Sequence, residues 1–443
     1  MLKKIIKIIL ICMLLSLLSG LSYILYIKNY NNSLLSDIQN YDRFFWNKHY
    51  SKNKIKEKYK VVIAGAEKLD NGRVVSDETL VLRMVNAVSK LGWKVKYYDS
   101  LSGKEDEIIE FNPDFILTTI PKWSMTSLKP LPFKIYSFIP LQSLTFLSKL
   151  QKSNFSKIRF KYNNINPHIF TISDGLILTD NSFLLLKELY ENISRNKFHG
   201  IVGYPGVDYH EYDESVVANK IIYYGINWDN LRGGKDYLNL YYNLFKKGVI
   251  NYYGPFIGWI NNYRSGWKGF LTLRNEKDIN TNSPFIIKDT VLETIKKHGI
   301  VLILHSHSHF NNNLPSLREF EAAAASSIII SDELNFVKDT FGDSALYIEV
   351  QNKTPKEIED QILKHYKWII ENPNKTKIMT KKAHDIYKEK FTLEKLFIDI
   401  AHMHESVIKN ETVDDSEAKT KLKLKKHVKE VDHIIIPAVS ASY

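Results

Sequence analysis

The segment LPSLREFEAAAASSIIISDE, residues 314–333, puts an acid, Glu321, on a stripe otherwise made of Leu317, Phe320 and Ala324. That three- and four-residue spacing is the spacing of neighbours along one helix face. Ser316 and Glu319 have the S-x-x-E spacing of a capping box, which predicts a helix beginning at Leu317. An unpaired carboxylate facing a core is costly, so Glu321 needs an ion partner, water or a ligand. The chemistry open to it is recognition of a ribose diol, which can donate two hydrogen bonds to one carboxylate. The start of the same helix offers free N–H groups and a positive dipole end to a diphosphate.

GINWDNLRGGKDY (225–237) sets Arg232 and Lys235 in a glycine-containing loop between a strand and a helix. Two cations there suit a leaving diphosphate. HSHSHF (305–310) places His305, His307 and His309 on one side of an extended segment. No carboxylate stands at ligand spacing from them, so a metal centre is not expected and a donor contact is, with His305 best placed at a strand end. NNYRSGWKGF (261–270) mixes aromatic and basic residues and reads as a surface loop. GYPGVDYHEYD (203–213) is a turn where the first run of strands ends.

Strands and helices must position these residues. KVVIAGA, WKVKYYD, DFILTTI, FKIYSFI and DGLILTD read as strands between residues 60 and 180, with helical stretches from 77 to 91, at EDEIIEF and at SFLLLKELYENI. The alternation restarts with KIIYYGI, INYYGP, IVLILHS and SIIIS, separated by KDYLNLYYNLFKKG, IIKDTVLETIKKHG and the helix carrying Glu321. Alternation of this kind predicts parallel sheets covered on both faces, hence an α/β chain of two facing Rossmann-like domains with a ligand cleft at the strand C-termini. The expected division is an anchor at 1–28, a polar stalk at 29–58, domains at 59–213 and 214–390, a helix at 391–405 returning to the first domain, and a charged tail at 406–443.

Composition limits the alternatives. Of 443 residues, 44% are apolar and 25% charged, which suits large cores and excludes a disordered chain. The single cysteine, Cys12, excludes an intramolecular disulfide and a cysteine-based zinc site. AGAEKLDNG lacks the glycine triad of a dinucleotide site and no P-loop occurs, so no cofactor is expected. The net charge of +12 is concentrated at 48–60 and 419–429 without a nucleic-acid-binding motif, so no nucleic-acid partner is expected. The uncharged stretch from Ile8 to Ile27 is long enough to span a bilayer, which predicts a single-pass membrane anchor. Lys3, Lys4 and Lys7 on one side and Lys28, Arg43 and the 48–60 run on the other leave its orientation open.

Together these segments resemble a group 1 glycosyltransferase of the two-Rossmann GT-B architecture. Pro205-Gly206-Val207-Asp208 is similar to the group's Pro-Asn-Gly-Val-Asp-like junction turn without its Asn. Arg232 and Lys235 are similar to its Arg/Lys pair, and Glu321-Ala322-Ala323-Ala324 to its Glu-Ala-x-Ala helix start. The entry Arg318-x-Phe320-Glu321 is closest to the spore-maturation-type branch. The resemblance covers roughly residues 200–400 in motifs and 59–200 in architecture only. It implies a membrane-anchored enzyme moving a sugar from a nucleotide-sugar donor to a glycan or lipid-linked acceptor. Glu321 would hold ribose hydroxyls, while Arg232 and Lys235 offset charge on the diphosphate. His305, Ser316 and Arg318 would add donor contacts. Asn313 stands where many members carry a first glutamate, eight positions before the second, and its amide can still bond a sugar hydroxyl. The acceptor would enter near residues 65–73, with Asp70, His168 and Asp174 as candidate bases. A sugar-nucleotide epimerase on the same fold and a non-catalytic sugar-nucleotide-binding scaffold are the alternatives.

Overall fold

A computed structural model describes residues 43–65, 76–119, 131–139, 172–179, 187, 191, 197–224, 235–253, 290–305, 309–310, 313–411 and 413–414. The expected anchor at 1–28, Asp70, His168, Arg232, His307 and the loop at 261–270 lie outside them. Among the described residues no helix is long and apolar enough to cross a membrane.

The first domain is a six-stranded parallel sheet of β1 (Lys60–Ala64), β2 (Lys94–Tyr98), β3 (Phe115–Thr119), β4 (Lys134–Ile139), β5 (Gly175–Leu178) and β6 (Gly200–Val202). Their order is β2-β1-β3-β4-β5-β6, so the chain reverses direction across the sheet between β1 and β3. The second domain is a five-stranded parallel sheet of β7 (Lys220–Tyr224), β8 (Ile250–Tyr253), β9 (Gly299–Ile303), β10 (Ile328–Asp332) and β11 (Ala345–Ile348). Its order, β11-β10-β9-β7-β8, puts the reversal between β7 and β9. Strands β3, β9 and β10 are buried at every position. Burial at every position suits sheets covered on both faces. The predicted α/β class and parallel sheets therefore describe what is seen. Strands β6 and β11 were not expected.

Around the sheets lie α1 (Phe45–Tyr50), α2 (Ser76–Lys90), α3 (Glu105–Phe111), α4 (Lys235–Lys246), α5 (Thr290–His298), α6 (Leu317–Ala324), α7 (Asn335–Phe341), α8 (Pro355–Glu371), α9 (Pro373–Lys390) and α10 (Leu393–Ile408). Helix α10 returns to the first domain and packs on α1, α2 and β6. The polar stalk expected at 29–58 needs correction where it is described. Trp46 and Tyr50 of α1 are fully buried, and Asn47 bonds both backbone groups of Val202 at 2.9 Å and Asp399 at 2.8 Å. Two large aromatics one turn apart outweigh the polar composition around them, since burying each stabilises by roughly 1.5–3 kcal/mol.

One apolar cluster runs through both domains. At its centre the rings of Tyr204, Phe320, Phe336 and Phe391 meet at centroid distances of 4.9–6.2 Å. The two chain crossings run side by side: Leu393 N–H donates to Val207 O at 3.1 Å, and a Cβ on Gly206 would come within 2.5 Å of Phe391 O. Glycine in the junction turn is therefore a packing requirement.

Candidate functional site

Helix α6 begins as the sequence predicts. Ser316 is its N-cap and makes the full capping box with Glu319. Ala322–Ala325 are fully buried, and their small side chains let α6 lie against β9 and β10. Phe320, Glu321 and Ala324 are buried as the stripe requires, while Leu317 is only partly covered.

Glu321 meets an ion partner, as an acid on an apolar stripe requires. One oxygen accepts from Arg83 Nη1 at 2.7 Å and the other from the Tyr224 hydroxyl at 2.5 Å. Arg83 lies on α2 of the first domain, so the pair joins the domains, with side chains 1% and 4% exposed. Glu321, expected to hold sugar hydroxyls, thus has both oxygens engaged in a buried bridge between the domains. Burial, then the adjacent Glu321 charge, pushes the Tyr224 hydroxyl well above its ordinary value.

His305 also departs from expectation. It is 1% exposed, with both ring nitrogens committed, so it is not placed to touch a donor directly. Nδ1 meets Asp332 Oδ1 at 2.6 Å and Nε2 meets Glu319 Oε1 at 2.5 Å, while the backbone N–H donates to Asp332 Oδ2 at 2.7 Å. Burial alone would strip the imidazolium of its proton; the carboxylates of Asp332 and Glu319 outweigh it and push the pKa up to about 9. Burial would likewise raise Glu319, but the charge of His305, with Ser316 and Arg318, holds it below the carboxylate range. Next to His305, at 6.2 Å between rings, His309 is lowered to about 4 by burial and then by the charges of His305 and Arg318.

Arg318, at the second position of α6, reaches the ends of two strands. Its Nη1 donates to Tyr224 O at 3.5 Å and its Nη2 to Leu304 O at 3.2 Å, and Nε lies 3.4 Å from Ser316 Oγ. The Tyr223 ring lies 5.4 Å from the guanidinium. Among the described residues no carboxylate is within ion-pair distance of it. Tyr224 ends β7 and Leu304 follows β9, so this guanidinium sits at the reversal point of the second sheet, where open α/β sheets bind ligands.

Other candidates fall elsewhere. Asn313, with φ of 50°, accepts from Phe336 N–H at 2.5 Å through its Oδ1, at the start of α7. Asp174 precedes β5, at the amino edge of the sheet, and binds Lys134 Nζ and Ile135 N–H, both at 2.9 Å. That places it away from the strand carboxyl ends where a base was sought. Lys235 is the first residue of α4. Among the described residues no group of histidines and acids surrounds space for a metal ion. Arg83, Tyr224, Glu319 and Asp332 were not singled out as site residues. The available signals were an arginine inside the apolar run LVLRMV and an acid closing the buried strand SIIISD.

No protein-family model and no curated protein sequence matches the chain. Solved structures with a similar backbone course include S. aureus TarM in complex with Fondaparinux, alpha-GlcNAc-glycerol and UDP, at 12% identity and a TM-score of 0.40. That match covers 68% of this chain and 58% of TarM, so the chain spans somewhat over half of TarM's length. Sucrose-phosphate synthase from Thermosynechococcus elongatus matches at 10% identity and 0.47, over 80% of this chain and 100% of the other. A glycosyltransferase from Rickettsia africae matches at 13% and 0.45, over 80% and 100%.

Proposed function

We propose that this chain is a glycosyltransferase that moves a sugar from a nucleotide-sugar donor to a glycan or lipid-linked acceptor, held at a membrane by residues 1–28. The second domain takes the donor and the first the acceptor. The observation that carries this reading is Arg318, a guanidinium with no carboxylate partner among the described residues, at the reversal point between β7 and β9 and beside the N-terminus of α6. An arginine fork and a helix N-terminus at one crevice suit a diphosphate. Arg232 and Lys235 follow Tyr224 in the chain and supply further charge for the departing nucleoside diphosphate.

The test is calorimetric titration of the full-length protein with UDP-, GDP-, ADP- and TDP-sugars, for wild type and Arg318→Ala. Loss of Arg318 is expected to weaken the preferred donor at least tenfold, about 1.4 kcal/mol. Equal affinity in the two proteins rejects the assignment. Donor converted without any acceptor would identify an epimerase instead.

A further inference from the structure

Among the described residues Arg318 has no carboxylate partner, although an acid, Glu319, is its neighbour in the chain and a single hydroxyl, Ser316 Oγ, connects the two. Asp332, His305, Glu319, Ser316 and Arg318 form one continuous chain of hydrogen bonds. Asp332 accepts from His305 Nδ1, and His305 Nε2 donates to Glu319 Oε1. Ser316 Oγ donates to Glu319 Oε2 at 2.6 Å, and its lone pairs face Arg318 N at 3.3 Å and Nε at 3.4 Å. The side chains of His305, Glu319 and Asp332 are fully buried. Two buried carboxylates this close require a cation between them or beside them. Among the described residues His305 and Arg318 are the cations beside them, and the geometry gives that task to His305.

We propose that His305 is a positioning residue: its positive charge neutralises Glu319 and so leaves Arg318 for the donor's diphosphate instead of paired to that carboxylate. This rests on the donor reading of Arg318 above. In a protein without the imidazolium, Glu319 draws Arg318 into an ion pair of its own, and a diphosphate must compete with a carboxylate already in place. Removing the charge of Glu319 as well takes away the competitor. The capping box survives that second change, because Gln serves at the third helical position as Glu does.

Binding of UDP, GDP, ADP and TDP, and of the matching nucleosides, is measured by calorimetry for wild type, Arg318→Ala, His305→Gln, Glu319→Gln and the double variant His305→Gln/Glu319→Gln, with thermal melting of each. For the best-bound diphosphate, His305→Gln is expected to bind at least tenfold more weakly. The double variant is expected to recover to within about threefold of wild type, roughly 0.65 kcal/mol. The nucleoside, which has no phosphate, is expected to bind wild type and His305→Gln alike, whereas a merely structural loss would weaken both ligands. If the single variant does not fold, the double is compared with wild type directly, and a tenfold loss overturns the proposal. Wild-type-like diphosphate binding by His305→Gln, or a double variant no better than the single, also overturns it while leaving the Arg318 reading intact. If no diphosphate binds wild type, or Arg318→Ala binds as wild type does, both fall together.

Discussion

At the carboxyl ends of β3 and β5 the first domain carries Thr119 and Thr179, and beneath them Thr118, Ser137 and Ser173 share hydrogen bonds of 2.5–3.1 Å. Around β7, β9 and β10 the second domain carries His305, Arg318, Glu319, Glu321 and Asp332, with Arg83 reaching in from α2. Among the described residues the first group consists of hydroxyls, and the second holds His305, Arg318 and Arg83 together with Glu319, Glu321 and Asp332. Hydroxyls can be buried singly, at a cost of about 1–3 kcal/mol when left unsatisfied. Charges cannot, so each charged member depends on the others and its removal is expected to have large, non-additive effects. The two groups of residues should therefore respond differently to substitution and to pH.

The largest effect is expected at the bridge between the domains. Glu321→Ala removes one member of the buried Arg83–Glu321 pair and should cost about 3–5 kcal/mol in urea unfolding. An apolar pair, Arg83→Met with Glu321→Leu, should return stability to near the wild-type value, because desolvation of both charges is then avoided. If Glu321→Ala unfolds at the wild-type midpoint, the bridge is not a stabilising contact and the contrast between the two groups fails.

The pH response comes next. Burial lowers His199 and His404 in the first domain to about 4, so they are neutral in the fold and the unfolded chain binds more protons below its value of 6.5. Their contribution is full above pH 6.5 and lost as pH falls to 4, up to about 3 kcal/mol each from a shift of that size. His309 in the second domain acts in the same direction. His305, raised to about 9, is opposite: its contribution is full below pH 6.5 and lost as pH rises through 9. Urea midpoints at pH 4.5, 7 and 9.5 should therefore peak in the middle. His404→Gln should flatten the acid side and His305→Gln the alkaline side. The same side flattened by both variants would break the comparison.

Much of this architecture was legible in the chain. Long apolar runs such as IVLILHS announce buried strands, and the Ser316–Glu319 spacing announces the start of α6 to the residue. Strand β6 is only three residues long and β11 alternates weakly, so neither carries enough pattern to be seen. The site was less legible, because its partners meet across long separations in the chain. The apolar stripe around Glu321 shows that this acid needs a partner, yet nothing near it in sequence points to Arg83, 238 residues away. His305 was read from its own strand end. Its commitment to Asp332 and Glu319 depends on β10 lying next to β9, a fact of sheet order.

A smaller effect is expected at Tyr224. Its hydroxyl donates to the charged Glu321 in a buried site, so Tyr224→Phe should cost about 2 kcal/mol in unfolding experiments. The loss should vanish in a protein already carrying Glu321→Leu, since the acceptor is then gone. An equal loss in both backgrounds would mean that the ring's packing, and not the hydroxyl, is what matters.

The smallest effects belong to the hydroxyls of the first domain, where two adjacent threonines separate the cases. Thr118 Oγ1 bonds Ser137 Oγ at 3.1 Å and Tyr136 O at 3.3 Å, whereas the buried Thr119 Oγ1 has no hydrogen-bond partner among the described residues. Thr118→Val should cost about 1 kcal/mol, and Thr119→Val should be neutral or slightly stabilising, because an unsatisfied hydroxyl is replaced by a methyl of similar shape. The hydroxyl of Thr119 also explains Gly65 at the end of β1, since a Cβ there would lie 1.8 Å from it. If Thr119→Val instead destabilised the protein as strongly as the changes at Glu321, the first group would be as tightly coupled as the second. The distinction between permissive hydroxyls and a charge network would then be lost.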